Sequence, residues 1–171
     1  MKYVWFYFSQ QVPLCEENPF EATKTNVGGT QNLITAAIKE RIEKFMLIST
    51  DKAVNPVNVM GATKLLAEQL TISANSESKT AFSCVRFGNV LESRGSVIPL
   101  FRSQIKTGKM ITLTDPNMTR FIMSIPKAVN LVLDSTAKAK GGEVFILKMP
   151  TIIIGELANT IIEESAKNIQ I

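Results

Sequence analysis

Two short apolar runs, residues 44–49 (KFMLIS) and residues 81–87 (AFSCVRF), constrain the fold of this chain more than any other feature. Each is bounded by charged or turn-forming residues, and each is apolar almost throughout rather than alternating. That is the pattern of strands buried on both faces, as in a parallel sheet covered by helices. Between them, residues 58–73 repeat apolar side chains at Leu65, Leu66, Leu70 and Ile72, and Asn58, after Pro56, is suited to cap the start of a helix. Strand, helix, strand in that order predicts a right-handed crossover and a parallel α/β sheet.

Upstream, residues 19–39 carry Ala22, Val27, Leu33, Ile34, Ala37 and Ile38 at loosely helical spacing, interrupted by Gly28-Gly29, which argues against one unbroken helix. Beyond Asn89 the rhythm changes. A helix is expected at residues 96–107, strands at 110–113 and 119–123, a helix at 126–138, a strand at 143–147 and a last helix at 155–167. These pieces predict a smaller lobe packed on the sheet.

The bulk numbers exclude several functions. The 171 residues are 45% hydrophobic and 20% charged, which suits one globular domain. The net charge of +4 comes from 19 basic and 15 acidic residues that are scattered, so no nucleic-acid footprint is expected, only a mild preference for anionic small molecules. The chain has no His, and Cys15 and Cys84 stand far apart, which argues against a metal site and against Ser-His nucleophilic catalysis. Residues 1–8 are too short to span a bilayer and lack a small-residue cleavage pattern, so the expectation is a cytoplasmic protein with no membrane partner.

Chemistry is expected where the first strand ends. Ser49-Thr50-Asp51-Lys52-Ala53 places a hydroxyl, a carboxylate and an amine at the edge where open parallel sheets bind ligands. Such a set can supply a hydrogen-bond donor, an acid and a base. Alone, it fits a polar turn capping a strand equally well. Met60 and Lys64 follow at i and i+4, on one helical face. Taken singly, Lys64 fits a solvated surface amine, and Met60 fits a core side chain.

The residues Thr50-Asp51-Lys52-Ala53-Val54-Asn55-Pro56 and Met60-Gly61-Ala62-Thr63-Lys64 together resemble the active-site stretch of the polysaccharide-biosynthesis UDP-N-acetylglucosamine 4,6-dehydratase/epimerase family, within the extended short-chain dehydrogenase/reductases. Val85-Arg86-Phe87-Gly88-Asn89-Val90, Ser93-Arg94-Gly95-Ser96-Val97, Thr114-Asp115-Pro116-Asn117-Met118-Thr119-Arg120-Phe121 and Gly141-Gly142-Glu143-Val144-Phe145 follow in the family's order. Upstream, Gln11-Val12-Pro13 and Lys24-Thr25-Asn26-Val27 are also similar. The resemblance implies a partial Rossmann-like doubly wound parallel sheet lacking its first βαβ units, with a small C-terminal substrate-binding lobe. Residues 1–90 would be the C-terminal part of the NAD(P)-binding domain, and residues 91–171 mainly the substrate lobe.

The resemblance also implies roles. The cofactor would be NADP, with NAD possible, and the substrate a UDP-linked amino sugar. Hydride leaves C4 of the sugar, water is eliminated across C5 and C6, and hydride returns to C6. Lys52 would be the base at C5, Asp51 the acid at the C6 hydroxyl, and Thr50 the hydrogen-bond partner of the C4 oxygen. Lys64 would hold the nicotinamide ribose, with Asn26 and Phe87 also on the cofactor. Asn89, Arg94, Ser96 and Val97 would meet the UDP group, and Arg120 the diphosphate, which suits its fixed donor fork. Arg86 and Arg102 are as well explained by surface solvation and are left out. Full-length relatives are expected to be homo-oligomers.

Two departures qualify this. The superfamily's Tyr-x-x-x-Lys pair has Met60 in the Tyr position, and a thioether exchanges no proton; one branch of these dehydratases carries Met there, with the proton work moved to Thr50, Asp51 and Lys52. No GxGxxG occurs in the chain, so the pyrophosphate cradle is missing from it. Phe6-Tyr7-Phe8 would stand where the family has small residues against the cofactor, and the C-terminus would stop short of the last family elements. The expectation is therefore a truncated or frameshifted product or half of a split enzyme, poorly stable alone and inactive as a fragment. The alternatives are a nucleotide-sugar epimerase of the same superfamily and a non-catalytic remnant.

Overall fold

A computed structural model describes residues 2–6, 11–91 and 96–165. They fall into two compact units, residues 1–87 with 129–147, and residues 88–128 with 148–171. The part of the chain beyond residue 90 is thus shared between the units, because residues 129–147 return to the first.

The first unit is a four-stranded sheet in the order β1-β2-β3-β6, with β1 at Tyr3–Phe6, β2 at Lys44–Thr50, β3 at Ala81–Phe87 and β6 at Val144–Ile146. Every neighbouring pair is parallel, as the two apolar runs predict. Side chains alternate across β2 and β3. Phe45, Leu47, Phe82 and Cys84 pack on one face against Ile34 and Ala37 of α3 (Gly29–Lys39) and Ala67 of α4 (Val59–Ser73). Full burial of Phe45, Leu47 and Phe82 stabilises by about 1.5–3 kcal/mol each. Lys44 points to the other face, where its Nζ donates to the carbonyls of Thr136 (2.9 Å) and Ala137 (2.7 Å) at the end of α6 (Ile125–Lys138). Its charge favours that carbonyl end of the helix, and helices therefore cover both faces of the sheet.

Gly141 (φ +107°) and Gly142 (φ +93°) then turn the chain into β6. A Cβ on Gly141 would lie 2.3 Å from Asn75 Oδ1, the atom that accepts from the Phe82 amide and ties α4's exit to β3.

Upstream of β2, α1 (Val12–Glu17) and α2 (Pro19–Thr23) lead into α3. The expected interruption at Gly28-Gly29 does not occur. Residues Lys24–Gly28 wind one turn of π-helix and the chain continues helical through both glycines. The wider turn brings Asn26 to full burial, where its Nδ2 donates to Thr63 Oγ1 of α4 at 3.0 Å, and Thr30 Oγ1 donates to the Asn26 carbonyl at 2.6 Å. A tertiary hydrogen bond thus outweighs the low helix propensity of glycine.

The second unit carries a three-stranded sheet of β4 (Asn89–Val90), β5 (Thr119–Met123) and β7 (Thr151–Ile153). Strand β4 runs parallel and β7 antiparallel to β5. Its core joins Ile98, Phe101 and Ile105 of α5 (Val97–Lys106) to Ile154, Ala158 and Ile161 of α7 (Ile154–Ser165). The strand expected at residues 110–113 is not formed. Ile111 is buried in this core, and Gln104 takes the place of a partner strand: its Oε1 accepts from the Thr112 amide at 3.4 Å and its Nε2 donates to Thr112 Oγ1 at 2.9 Å. The expected end of the last helix, at residue 167, lies outside the described residues.

Candidate active site

Strands β2 and β3 end at the same level, with Thr50 opposite Phe87 in the register. Beyond Thr50 the chain makes one 3₁₀ turn, Asp51–Ala53. Thr50 Oγ1 donates to Asp51 Oδ1 at 3.0 Å and accepts from the Lys52 amide at 3.4 Å. Lys52 Nζ meets the same carboxylate oxygen at 3.1 Å. Thr50 is buried, whereas the side chains of Lys52 and Asp51 are 36% and 28% exposed. Hydroxyl, acid and amine thus form one hydrogen-bonded group at the C-terminal edge of a parallel sheet. Ser49, just before it, is buried and its hydroxyl has no hydrogen-bond partner among the described residues.

Helix α4 approaches this turn closely. Asn58 caps it, its Oδ1 accepting from the Gly61 amide at 2.7 Å, as its sequence position predicts. A Cβ on Gly61 would stand 2.3 Å from the Lys52 carbonyl, so glycine is what lets the first turn of α4 lie against the 3₁₀ turn. Met60 is 1% exposed and packs with Cys15 and Ala22. Lys64 is fully buried, and its Nζ donates to the Ile48 carbonyl at 2.8 Å. A solvated surface amine is therefore not what stands there. Burial lowers its pKa from 10.5 to about 8, against a raising influence from the Glu68 carboxylate.

Of the predicted residues, Asn26, Thr50, Asp51, Lys52, Met60, Lys64 and Phe87 belong to the first unit, and Asn26 adjoins α4 through Thr63, the neighbour of Lys64. The second unit holds the rest. Asn89 pairs with Ile122 on β5, and Arg120, two residues before Ile122, is exposed, with its Nη1 on the Thr119 carbonyl at 3.1 Å. Ser96 takes the N-cap position of α5 without a side-chain cap bond, its hydroxyl unpartnered among the described residues, and Val97 opens that helix. Arg94, Tyr7 and Phe8 lie outside the described residues. An open cleft of ≈ 290 Å³ between α5 and α7, lined by Arg102, Lys106 and Glu164 among others, contains none of these candidates.

The sequence reading missed two charged residues of the first unit. Arg86 is not a free surface cation: its guanidinium grips the buried Glu68. Position offered a signal, because Glu68 follows Lys64 at i+4, and Arg86 shares the α4 side of β3 with Phe82 and Cys84.

Residues 8–171 match the family described as polysaccharide biosynthesis protein. The chain is 68% identical over 160 residues to "Uncharacterized membrane protein MJ1061" of Methanocaldococcus jannaschii, covering 92% of this chain and 48% of that protein. It is 54% identical to the capsular polysaccharide biosynthesis protein CapD of Staphylococcus aureus (92% and 27%). Against the UDP-glucose 4-epimerase of Rickettsia canadensis it is 49% identical (89% and 46%). The chain thus spans less than half the length of these curated relatives. Among the described residues no helix is long and apolar enough to cross a membrane. The solved structure of Pen from Bacillus thuringiensis superimposes with a TM-score of 0.94 at 48% identity, over 99% of this chain and 55% of that one. The dTDP-glucose 4,6-dehydratase DesIV of Streptomyces venezuelae, at 17% identity, shares the fold with a TM-score of 0.89 over 98% of this chain and 58% of that one. The chain belongs to the polysaccharide biosynthesis protein family and has the Rossmann-like α/β fold of its extended short-chain dehydrogenase/reductase relatives.

Proposed function

We propose that this chain carries the acid–base centre of an NADP-dependent 4,6-dehydratase acting on a UDP-N-acetylhexosamine in surface-polysaccharide synthesis. The observation that carries this reading is the hydrogen-bonded Thr50, Asp51 and Lys52 group at the end of β2. Thr50 hydrogen-bonds the C4 oxygen of the sugar. Lys52 takes the proton from C5, and Asp51 gives a proton to the C6 hydroxyl, which leaves as water. Both residues must first exchange protonation states, and the 3.1 Å contact between them provides the route: one proton moving from Nζ to Oδ1 converts the ion pair into a neutral amine and a carboxylic acid. Met60, packed among apolar side chains, has no proton to exchange, which leaves this work to the turn.

The nicotinamide cofactor, when bound, supplies a reversible hydride acceptor. Its nicotinamide half fits the residues here. The buried Lys64 amine, the Thr50 hydroxyl and the apolar Phe87 ring gather at the strand ends, and Asn26 is held beside them through Thr63. The expected contacts of the substrate's UDP group are Asn89, Arg94, Ser96 and Val97, with Arg120 on its diphosphate. The hydroxyl of Ser96 at the start of α5 supports that reading, since helix N-termini favour anions.

The similarity to the rickettsial UDP-glucose 4-epimerase favours a second reading, epimerisation at C4, which needs the hydride chemistry but no elimination. Mass spectrometry of UDP-N-acetylglucosamine incubated with NADP and a reconstituted enzyme of the relatives' length that includes this chain separates the two. Dehydration removes one water and Lys52→Met abolishes that loss; a product of unchanged mass with inverted C4 would establish the epimerase.

A further inference from the structure

Behind the strand ends lies a set of charges that the proposed chemistry leaves unused. Glu68 is 1% exposed and follows Lys64 by one turn on α4. Arg86 reaches it from β3: its Nε donates to Oε1 at 2.8 Å and to Oε2 at 3.1 Å, and its Nη2 donates to Oε2. Two anchors therefore fix the carboxylate, the helix that carries it and the planar fork that grips it. Lys64, one turn before Glu68 and fully buried, completes a plus-minus-plus arrangement in the first unit. Such a triad is costly to bury, and apolar side chains of similar volume would pack as well or better. That cost is offset only where the charge itself meets a need.

The other groups that face Lys64 do not meet that need. Cys84, on the same side of β3, is pushed far up by burial and by Glu68, so it stays a neutral thiol. Ile48 offers a carbonyl, which bonds an amine whether or not it is charged. Asp51 and Lys52 pair with each other at the turn. Glu68 is the group whose negative charge raises the proton affinity of Lys64, while burial opposes it.

We propose that Glu68, fixed by Arg86, is a positioning residue for Lys64, whose buried amine it holds as an ammonium ion beside the end of β2. This rests on the reading above only for its purpose, the positive charge that Lys64 would present to a nicotinamide ribose. The test reads the charge of the amine directly, so a failed dehydratase assay would leave it standing.

The protein is labelled at lysine Cε with carbon-13 and titrated by NMR, the Lys64 resonance being assigned by its disappearance in Lys64→Arg. The wild-type midpoint is expected near 8. Glu68→Gln removes the carboxylate that raises the amine's proton affinity, and the midpoint should fall by at least one pH unit, a tenfold or greater loss of that affinity. An unchanged midpoint in folded Glu68→Gln overturns the proposal. If that variant does not fold, Glu68→Asp, which keeps the charge but draws it back from the amine, gives the second test: the midpoint should fall, and one that stays or rises overturns it. Should neither fold, the wild-type titration decides, because a midpoint below 7 would mean that Lys64 is not held charged.

Discussion

Lys52 and Lys64 carry the same side chain to nearly the same place, the end of β2, and meet opposite physics. Lys52 stands on a 3₁₀ turn, over a third exposed, beside a carboxylate that is its own sequence neighbour. Lys64 is wholly buried on α4, tied to a backbone carbonyl and one turn from an ion pair that is itself interior. An exposed pair of adjacent residues is weak and easily rearranged, which suits groups that must trade a proton. A buried charge is expensive and fixed, which suits a group that must hold still. The two lysines thus divide the labour of the site by burial rather than by residue type.

The largest effect on stability is expected where the buried charges lose their counterion. Glu68→Leu leaves the buried Lys64 amine and the half-buried Arg86 guanidinium without their carboxylate and should destabilise the protein by about 3–5 kcal/mol in urea denaturation. A loss below ~1 kcal/mol would mean that water reaches the triad. Next comes the pH dependence due to Lys64. Its folded-state pKa is depressed to about 8 from 10.5, so between those values the unfolded chain binds more protons and stability rises with pH. The penalty is fully present below pH 8 and is removed as pH climbs to 10.5, a gain of about 3 kcal/mol at 1.36 kcal/mol per unit. Lys64→Met should abolish that rise, and the difference between the wild-type and variant curves measures it. The smallest effect on stability belongs to Lys52. Lys52→Met should change unfolding free energy by at most about 0.5–1 kcal/mol, because an exposed pair contributes little. A larger loss would place Lys52 with Lys64 and erase the contrast.

What the sequence showed of this arrangement follows from how local each signal is. Strands β2 and β3 are legible because an unbroken apolar run implies burial on both faces, and the start of α4 is legible because Asn58 caps it with its own side chain. The π-helical turn at residues 24–28 is not legible, since its cause is Thr63, thirty-seven residues further along. Strand β7 escapes because Thr151, Ile152 and Ile153 run directly into α7 with no turn signal between. The strand expected at residues 110–113 fails for the converse reason. Its apolar residue Ile111 is buried, but its backbone is met by the side chain of Gln104 rather than by another strand. Within the site, Thr50, Asp51 and Lys52 are contiguous and visible as a motif. Arg86 has its partner Glu68 eighteen residues away on another element, and only the alternation of β3 shows that both face the same interior.

The most direct test of the central claim is dehydration in deuterium oxide. If Lys52 removes the C5 proton and the amine then exchanges with solvent, UDP-N-acetylglucosamine incubated with NADP and a reconstituted enzyme of the relatives' length that includes this chain yields a product that has lost one water and carries deuterium at C5. Lys52→Met, still folded, yields none. Dehydrated product without deuterium at C5, or undiminished dehydration by folded Lys52→Met, would contradict the assignment of the Thr50, Asp51 and Lys52 turn as the acid–base centre.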